Sequence, residues 1–272
     1  PLPVGDNLLI YAASGGLVTG TPVLSIRATF AAAETDECIE SGFASGGPYG
    51  AFGFSGFKIV TGDGLNIAKL QFNRSGTGTF DVSAASVLSL PLEALGLIED
   101  TDYWFDNGSD TETSVTTADP TFTTVTTLNA TLPETGGYLV FGVANFRNNS
   151  NVVTNIRYSM DSTVISTNYE QDTSTVSQYS TPFVKLITAT AGFHSFKVEA
   201  ARISGTTFVR RARICVIKAS AFSQVISTNS TADQSTSSST FTKVTSSEIT
   251  YNPSQSESIL VIANPDANIS SL

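Results

Sequence analysis

Apolar and polar residues alternate along much of this chain with a period of two. Leu24, Ile26, Ala28 and Phe30 share one parity, and Ile156, Tyr158 and Met160 alternate with Arg157, Ser159 and Asp161. Side chains of a strand point in turn to its two faces, so this pattern predicts strands with one face buried. Phe196-Lys197-Val198-Glu199-Ala200 separates apolar from charged groups in the same way. Arg213-Ile214-Cys215-Val216-Ile217-Lys218 is instead a short apolar run between cations, as expected of a strand covered on both faces. Thr, Val, Ile, Phe and Tyr fill these segments, while Gly, Asn, Asp and Ser fill the gaps. Asp106-Asn107-Gly108-Ser109 predicts a hairpin turn, because Asn-Gly accepts positive φ at both central positions. The one segment patterned for a helix is Pro91-Leu92-Glu93-Ala94-Leu95, about a single turn. The predicted fold class is all-β, with antiparallel β-sandwiches of jelly-roll or immunoglobulin-like type arranged in tandem.

The tandem arrangement follows from internal self-similarity. Leu9-Ile10-Tyr11-Ala12-Ala13 recurs as Leu139-Val140-Phe141-Gly142-Val143, and Ser25-Ile26-Arg27-Ala28 as Asn155-Ile156-Arg157-Tyr158, both 130 positions further on. Phe57-Lys58-Ile59 answers Phe183-Val184-Lys185, Lys69-Leu70-Gln71 answers Lys197-Val198-Glu199, and Arg74 answers Arg202, at displacements of 126 to 128. A third copy begins where Phe122-Thr123-Thr124-Val125 returns as Phe241-Thr242-Lys243-Val244, and Tyr138-Leu139-Val140-Phe141 as Ser258-Ile259-Leu260-Val261. The expected units are 1–118, a first sandwich lacking its opening strand; 119–225, a second sandwich; and 226–272, a Ser/Thr-rich linker followed by the opening strands of a third unit.

This offset carries a functional expectation. A sandwich missing a strand exposes unpaired backbone groups along an edge, and a surplus strand has the opposite need. The surplus strands, marked by Phe241, Val244, Ile249, Ile259 and Val261, are therefore expected to complete the first unit of a neighbouring molecule by strand addition. The other arrangement is a longer repeat array, with the neighbouring units covalently attached. The opening Pro1, without Met, fits a processed chain or a piece of a longer one.

Composition narrows the classes. Of 272 residues, 40% are hydrophobic and 14% charged, with 14 Lys and Arg against 24 Asp and Glu for a net charge of −10. An acidic chain of pI near 4.5 is a poor partner for nucleic acid, and no apolar run reaches the roughly 20 residues of a membrane span. The charge is unevenly placed: residues 1–120 hold 4 cations and 15 anions, whereas residues 121–272 hold 10 and 9. Unlike ends suit a head-to-tail contact between copies of the chain, which makes filaments when the rotation does not close.

Catalytic hardware is scarce. Cys38 and Cys215 stand far apart with no paired-cysteine motif, and His194 alternates with Phe196 and Val198 as a packed residue would, with no nucleophile elbow in the chain. No enzymatic activity is expected. The acidic cluster Asp100, Asp102, Asp106 and Asp110, around Tyr103-Trp104-Phe105, is a candidate for Ca2+, which takes six to eight oxygen ligands; no other cofactor is implied. Read instead as a sugar platform, Tyr103, Trp104 and the acidic loop would bind surface glycans, the mark of a carbohydrate-binding adhesin or a phage receptor-binding or decoration module. Arg210, Arg211 and Arg213 form a basic cluster suited to an acidic protein partner. Asn73, Asn107, Asn129, Asn148, Asn229 and Asn268 head glycosylation sequons.

The stretch from Thr188 to Ala200, followed by Ala212-Arg213-Ile214-Cys215-Val216-Ile217, resembles the closing strands of tandem β-sandwich repeats in phage virion surface and fibre proteins and in microbial extracellular fibres. The resemblance is one of strand pattern and carries no catalytic residue. It implies a structural protein, working outside the cell as a fibre or filament subunit or at the surface of a virion.

Overall fold

The computed structural model describes residues 1–227 apart from 21–22, 30–34, 43–50, 66, 76, 110, 149–151, 173–177, 204 and 224. The described residues are all-β, without an α-helix. The first six strands are β1 (Gly5–Gly20), β2 (Val23–Thr29), β3 (Thr35–Gly42), β4 (Ala51–Gly62), β5 (Lys69–Ser75) and β6 (Gly78–Pro91). They form two sheets, sheet I in the order β3-β2-β5 and sheet II in the order β4-β1-β6. The predicted helical turn is present as a single 3-10 turn, Glu93–Leu95, closed by Gly96 at φ 81°.

The chain then crosses to a second pair of sheets. Its strands are β7 (Tyr103–Asp106), β8 (Thr113–Val115), β9 (Thr123–Leu132), β10 (Gly136–Asn148), β11 (Val152–Met160), β12 (Thr163–Asp172), β13 (Gln178–Ser180), β14 (Phe183–Ala189), β15 (Gly192–Arg202) and β16 (Thr207–Lys218). Sheet III runs β13-β10-β16-β7, with β14 also on β10 and β8 also on β16; sheet IV runs β12-β11-β15-β9. All the strand pairs are antiparallel.

The duplication seen in the sequence is a duplication of topology. β1 lies between β4 and β6 as β10 lies between β14 and β16, and β2 lies between β3 and β5 as β11 lies between β12 and β15. Even the register repeats. Ala28 faces Leu70 and Arg27 faces Gln71, while Tyr158 faces Val198 and Arg157 faces Glu199. The β4 match needs a correction: Tyr11 pairs with Gly56 and Phe141 with Val184, so the displacement is 128 and not 126. A slip of two leaves every side chain on its own face, which is why the pattern alone did not reveal it.

Three cores hold the four sheets together. Between sheets I and II lie Leu9, Tyr11, Ala13, Ala28 and Val60. Between sheets III and IV lie Trp104, Leu128, Tyr138, Phe146, Ile156, Tyr158, Phe183, Phe196, Val198 and Val216, among others. A third core joins the two sandwiches broadside, packing Leu8, Phe57, Ile59 and Leu92 against Phe141, Val143, Cys215 and Ile217. This middle layer explains the uninterrupted apolar run of β16: Ile214 and Val216 face sheet IV, and Cys215 and Ile217 face sheet II. Cys215 is buried and its thiol is pushed up by that burial.

Candidate functional site

Two features distinguish how the strand edges of this molecule are finished: the seam between its sandwiches and the outer edges of its sheets. The seam is built on the outer edge of β4, whose other edge pairs with β1. Among the described residues no strand pairs with that outer edge; side chains of the second sandwich cover it. The amide of Asn107 donates to the Ile59 carbonyl at 2.9 Å and accepts from the Ile59 N–H at 3.1 Å. Arg213 donates through Nη1 to the Phe57 carbonyl at 3.1 Å, and Ser180 Oγ donates to the Ser55 carbonyl. The carbonyls of Ser55, Phe57 and Ile59, every second residue along this edge, and the N–H of Ile59 thereby gain partners, as buried backbone groups need.

Local sequence sets up this clamp. Asp106 Oδ1 accepts the N–H of Gly108 at 2.7 Å, and Gly108 sits at φ 65° where an added Cβ would collide with the backbone of Ala212. Opposite, β16 carries a bulge against Ala144, in which Arg211 takes φ 51° and gives its N–H to the Ser109 carbonyl at 2.9 Å. Bulges re-aim the side chains that follow. Arg213, only 2% exposed, then reaches from β16 to Asn107 O at 2.9 Å and to Tyr11 Oη at 3.2 Å. The Tyr11 ring gains its path because Gly56 has no side chain; a Cβ there would lie within 2.7–2.9 Å of the ring and hydroxyl. At the other end of the seam Tyr103 Oη donates to Asp6 Oδ2 at 2.9 Å, and Thr61 donates to Asp6 Oδ1 at 2.8 Å. Burial, followed by the bond to Asp6, pushes the Tyr103 phenol well above its ordinary value.

The edges differ between the two sandwiches. The outer edge of β16 is sealed by β7 and β8, and that of β15 by β9, all from the single stretch Tyr103–Leu132. The counterparts in the first sandwich are β6 and β5, and among the described residues no strand pairs with the outer edge of either. Val82, Val87 and Leu88 of β6 are 41%, 37% and 42% exposed, and Phe72 of β5 is 37% exposed. From Ser83 to Leu90 the strand has no charged residue and no proline. Such an edge is a template for another strand.

Several expected sites are placed differently. Asp106–Ser109 is not a hairpin turn, because β7 and β8 lie in line along β16 instead of pairing with each other; the Asx bond and the Asn107 clamp hold the stretch between them. Although expected in the 1–118 unit, both strands hydrogen-bond into sheet III. Tyr103 and Trp104 form no sugar platform: they are 0% and 3% exposed, with Trp104 in the core against Tyr138. Asp102 accepts the Ile98 N–H and lies 3.8 Å from Lys218 Nζ, and Asp106 Oδ2 accepts the Thr126 hydroxyl at 2.7 Å. Asp100 occupies a left-handed turn position and Asp110 lies outside the described residues. Among the described residues no group of three or more His, Cys, Asp or Glu is placed to hold a metal ion.

Of the sequons, Asn73 and Asn129 are exposed on β5 and β9, Asn107 spends its amide on Ile59, Asn148 ends β10, and Asn229 and Asn268 lie outside the described residues, as do Phe241, Val244, Ile249, Ile259 and Val261. Of the basic cluster, Arg211 and Arg213 are buried and Arg210 is half-buried, and Arg213 is spent on backbone carbonyls of the same chain. His194 is buried, with Nδ1 2.9 Å from Asp161 Oδ2 and Nε2 2.9 Å from the Thr190 carbonyl. The clamp made by Asn107 and Arg213 was not anticipated. Its one signal in sequence is a charge, Arg213, at the parity of Cys215 and Ile217, which are buried against sheet II.

No family model and no curated protein matches this chain. Among solved structures it is similar to infectious bursal disease virus, Gt strain, with a TM-score of 0.34 and 13% identity over 81% of this chain and 60% of that one. It is also similar to the VP2 subviral particle of infectious bursal disease virus, at 0.33 and 10% over 79% and 58%. A third is dimeric latent PorU from Porphyromonas gingivalis, at 0.31 and 10% over 79% and 24%. This chain spans less than two thirds of each of those chains, and at these scores the likeness says nothing about function. No helix among the described residues is long and apolar enough to cross a membrane.

Proposed function

We propose that this chain is a non-enzymatic structural subunit of an extracellular fibre or of a virion-surface assembly, and that copies of it associate head to tail by β-strand complementation. One observation supports the reading: two equivalent sandwiches in one chain have equivalent edge strands, sealed in the second and, among the described residues, unpaired in the first. In the second sandwich the sealing strands come from the stretch that precedes its first strand. The sequence holds a further copy of the β9 part of that stretch, Phe241–Tyr251, after the second sandwich. A donor at one end and an acceptor at the other make a heterologous contact, which propagates. The unequal charge of residues 1–120 and 121–272, −11 against +1, favours that contact over a symmetric one.

Negative-stain micrographs and light scattering on the full chain should show linear or shell assemblies. Removal of residues 241–272 should leave soluble molecules that no longer assemble, and polymerisation unchanged by that deletion would refute the reading.

A further inference from the structure

We infer that the segment Phe241–Tyr251 of a second copy adds to sheet I as an antiparallel strand on the outer edge of β5, with Thr245 opposite Leu70 and Ser246 opposite Lys69. This inference rests on the assembly reading above and specifies its contact. The register comes from the second sandwich, where β9 lies on β15 with Thr126 opposite Val198 and Thr127 opposite Lys197. β5 occupies the place of β15, because Leu70 faces Ala28 of β2 as Val198 faces Tyr158 of β11. Phe122 and Val125 return as Phe241 and Val244, so Thr126 and Thr127 return as Thr245 and Ser246.

The chemistry agrees with that placement. Leu128, Ala130 and Leu132 of β9 are buried in its sandwich, and Val125 packs against the same core. Their counterparts are Ser247, Ile249, Tyr251 and Val244, three of them apolar. Alternation turns Ser247, Ile249 and Tyr251 to one face, where Leu70 already packs against the core between sheets I and II, and a bulge like the one that skips Val125 in β9 brings Val244 to the same side. A one-residue slip would send Ile249 and Tyr251 to solvent and Glu248 inward, which fixes the register. Phe72, exposed at this edge, gains a neighbour on its own sheet. Lys243 is the only Lys or Arg after Lys218, and it arrives opposite Gln71 on a unit of net charge −11.

Paired cysteines in the full-length chain test this, in a Cys38→Ser background with Cys215 left in its core. One variant carries Leu70→Cys and Thr245→Cys, the other Lys69→Cys and Ser246→Cys. Of two adjacent antiparallel pairs one is the non-hydrogen-bonded kind, whose closer Cα atoms suit a disulfide. A Leu70→Cys, Ser247→Cys chain is the register control. Mild oxidation should give a ladder of covalent multimers on non-reducing gels, with the 70–245 or 69–246 peptides joined about tenfold more than the control pair, since a disulfide needs Cα atoms within roughly 7 Å.

The same peptides joined inside single molecules would uphold the β5 register and overturn head-to-tail assembly. Filaments that form without either crosslink, or that favour the control pair, would overturn the register and leave assembly standing. Circular dichroism of each variant ensures that a missing crosslink is not a missing fold.

Discussion

The two sandwiches are built on one plan and finished differently. In the second, the stretch Tyr103–Leu132 seals an edge of sheet III and an edge of sheet IV before β10 begins. In the first, β5 and β6 hold the corresponding places with apolar side chains in the open. The third edge that matters, that of β4, is neither open nor paired, because Asn107, Arg213 and Ser180 cap it with side chains. Edge management is thus decided edge by edge. An edge satisfied inside the chain is unavailable for strand addition, so among the described residues β5 and β6 are the edges on which the proposed assembly rests.

Breaking the seam between the sandwiches should have the largest effect. Arg213→Ala leaves the Phe57 and Asn107 carbonyls without their donor and a hole in the middle layer, at a cost of about 3–5 kcal/mol. Urea unfolding followed by a probe in each sandwich should split into two transitions; a single transition at the wild-type midpoint would show that the seam does not couple them.

Gly142→Ala is next. A Cβ at Gly142 overlaps the Tyr158 ring, which stacks on Phe183 at 4.7 Å, so the second sandwich should lose about 1–3 kcal/mol. The matching position of the first sandwich already carries Ala12, with Ala28 where Tyr158 would be. Ala12→Gly should therefore change the melting temperature far less than Gly142→Ala does, and equal shifts would mean that the two cores are packed alike. Asn107→Ala, which unclamps the N–H and carbonyl of Ile59, should cost about 1–2 kcal/mol and raise amide hydrogen exchange in β4 before any other strand.

Acid separates the sandwiches on a finer scale. Arg27–Gln71 in the first matches Arg157–Glu199 in the second, and only the latter can titrate. Burial works against the Glu199 charge, but the bonds from Arg157 and Ser159 outweigh it and hold the carboxyl below its ordinary 4.5. Asp161, held by the Ser195 N–H and then by His194, lies below its ordinary 3.8. A lowered folded value means stability that is complete above the ordinary value and lost as pH falls below it. Hydrogen exchange on acidification should therefore open β11 and β15 ahead of β2 and β5, and the reverse order would contradict this assignment.

The smallest effect on stability, and the most selective on assembly, is expected of Val87→Lys. An edge lysine should change the midpoint by no more than about 0.5 kcal/mol and lower light scattering by assembled material, since a charge blunts strand addition. Scattering equal to wild type would move the assembly contact away from β6.

Much of this arrangement was legible in advance. Alternation at Ile156, Tyr158 and Met160 predicted the inward face of β11, and the Phe196–Ala200 pattern did so for β15, because a half-buried strand imposes its period on composition. The Leu9 and Leu139 repeats marked two copies of one topology. Local signals misled where distant contacts overrode them. Asn107-Gly108 has hairpin chemistry, yet its flanking strands take β16, over 100 residues later, as their partner. Tyr103 and Trp104 look like a surface platform within an acidic loop, and only the layers above and below them bury both rings. Arg213 reads as a binding cation until the bulge at Arg211 directs it to the Phe57 carbonyl of the first sandwich and to the Asn107 carbonyl.

The amino-acid order by itself determined the all-β class and which side chains of the alternating strands share a face, since both depend on neighbours two to a few residues away, and its internal repeats marked the duplicated unit. The tertiary structure alone decided that the sandwiches stack broadside, that side chains cap β4, and that no described strand pairs with the outer edges of β5 and β6. Those outcomes depend on which sheet face or edge meets which at long range, and identical alternation is compatible with more than one such meeting.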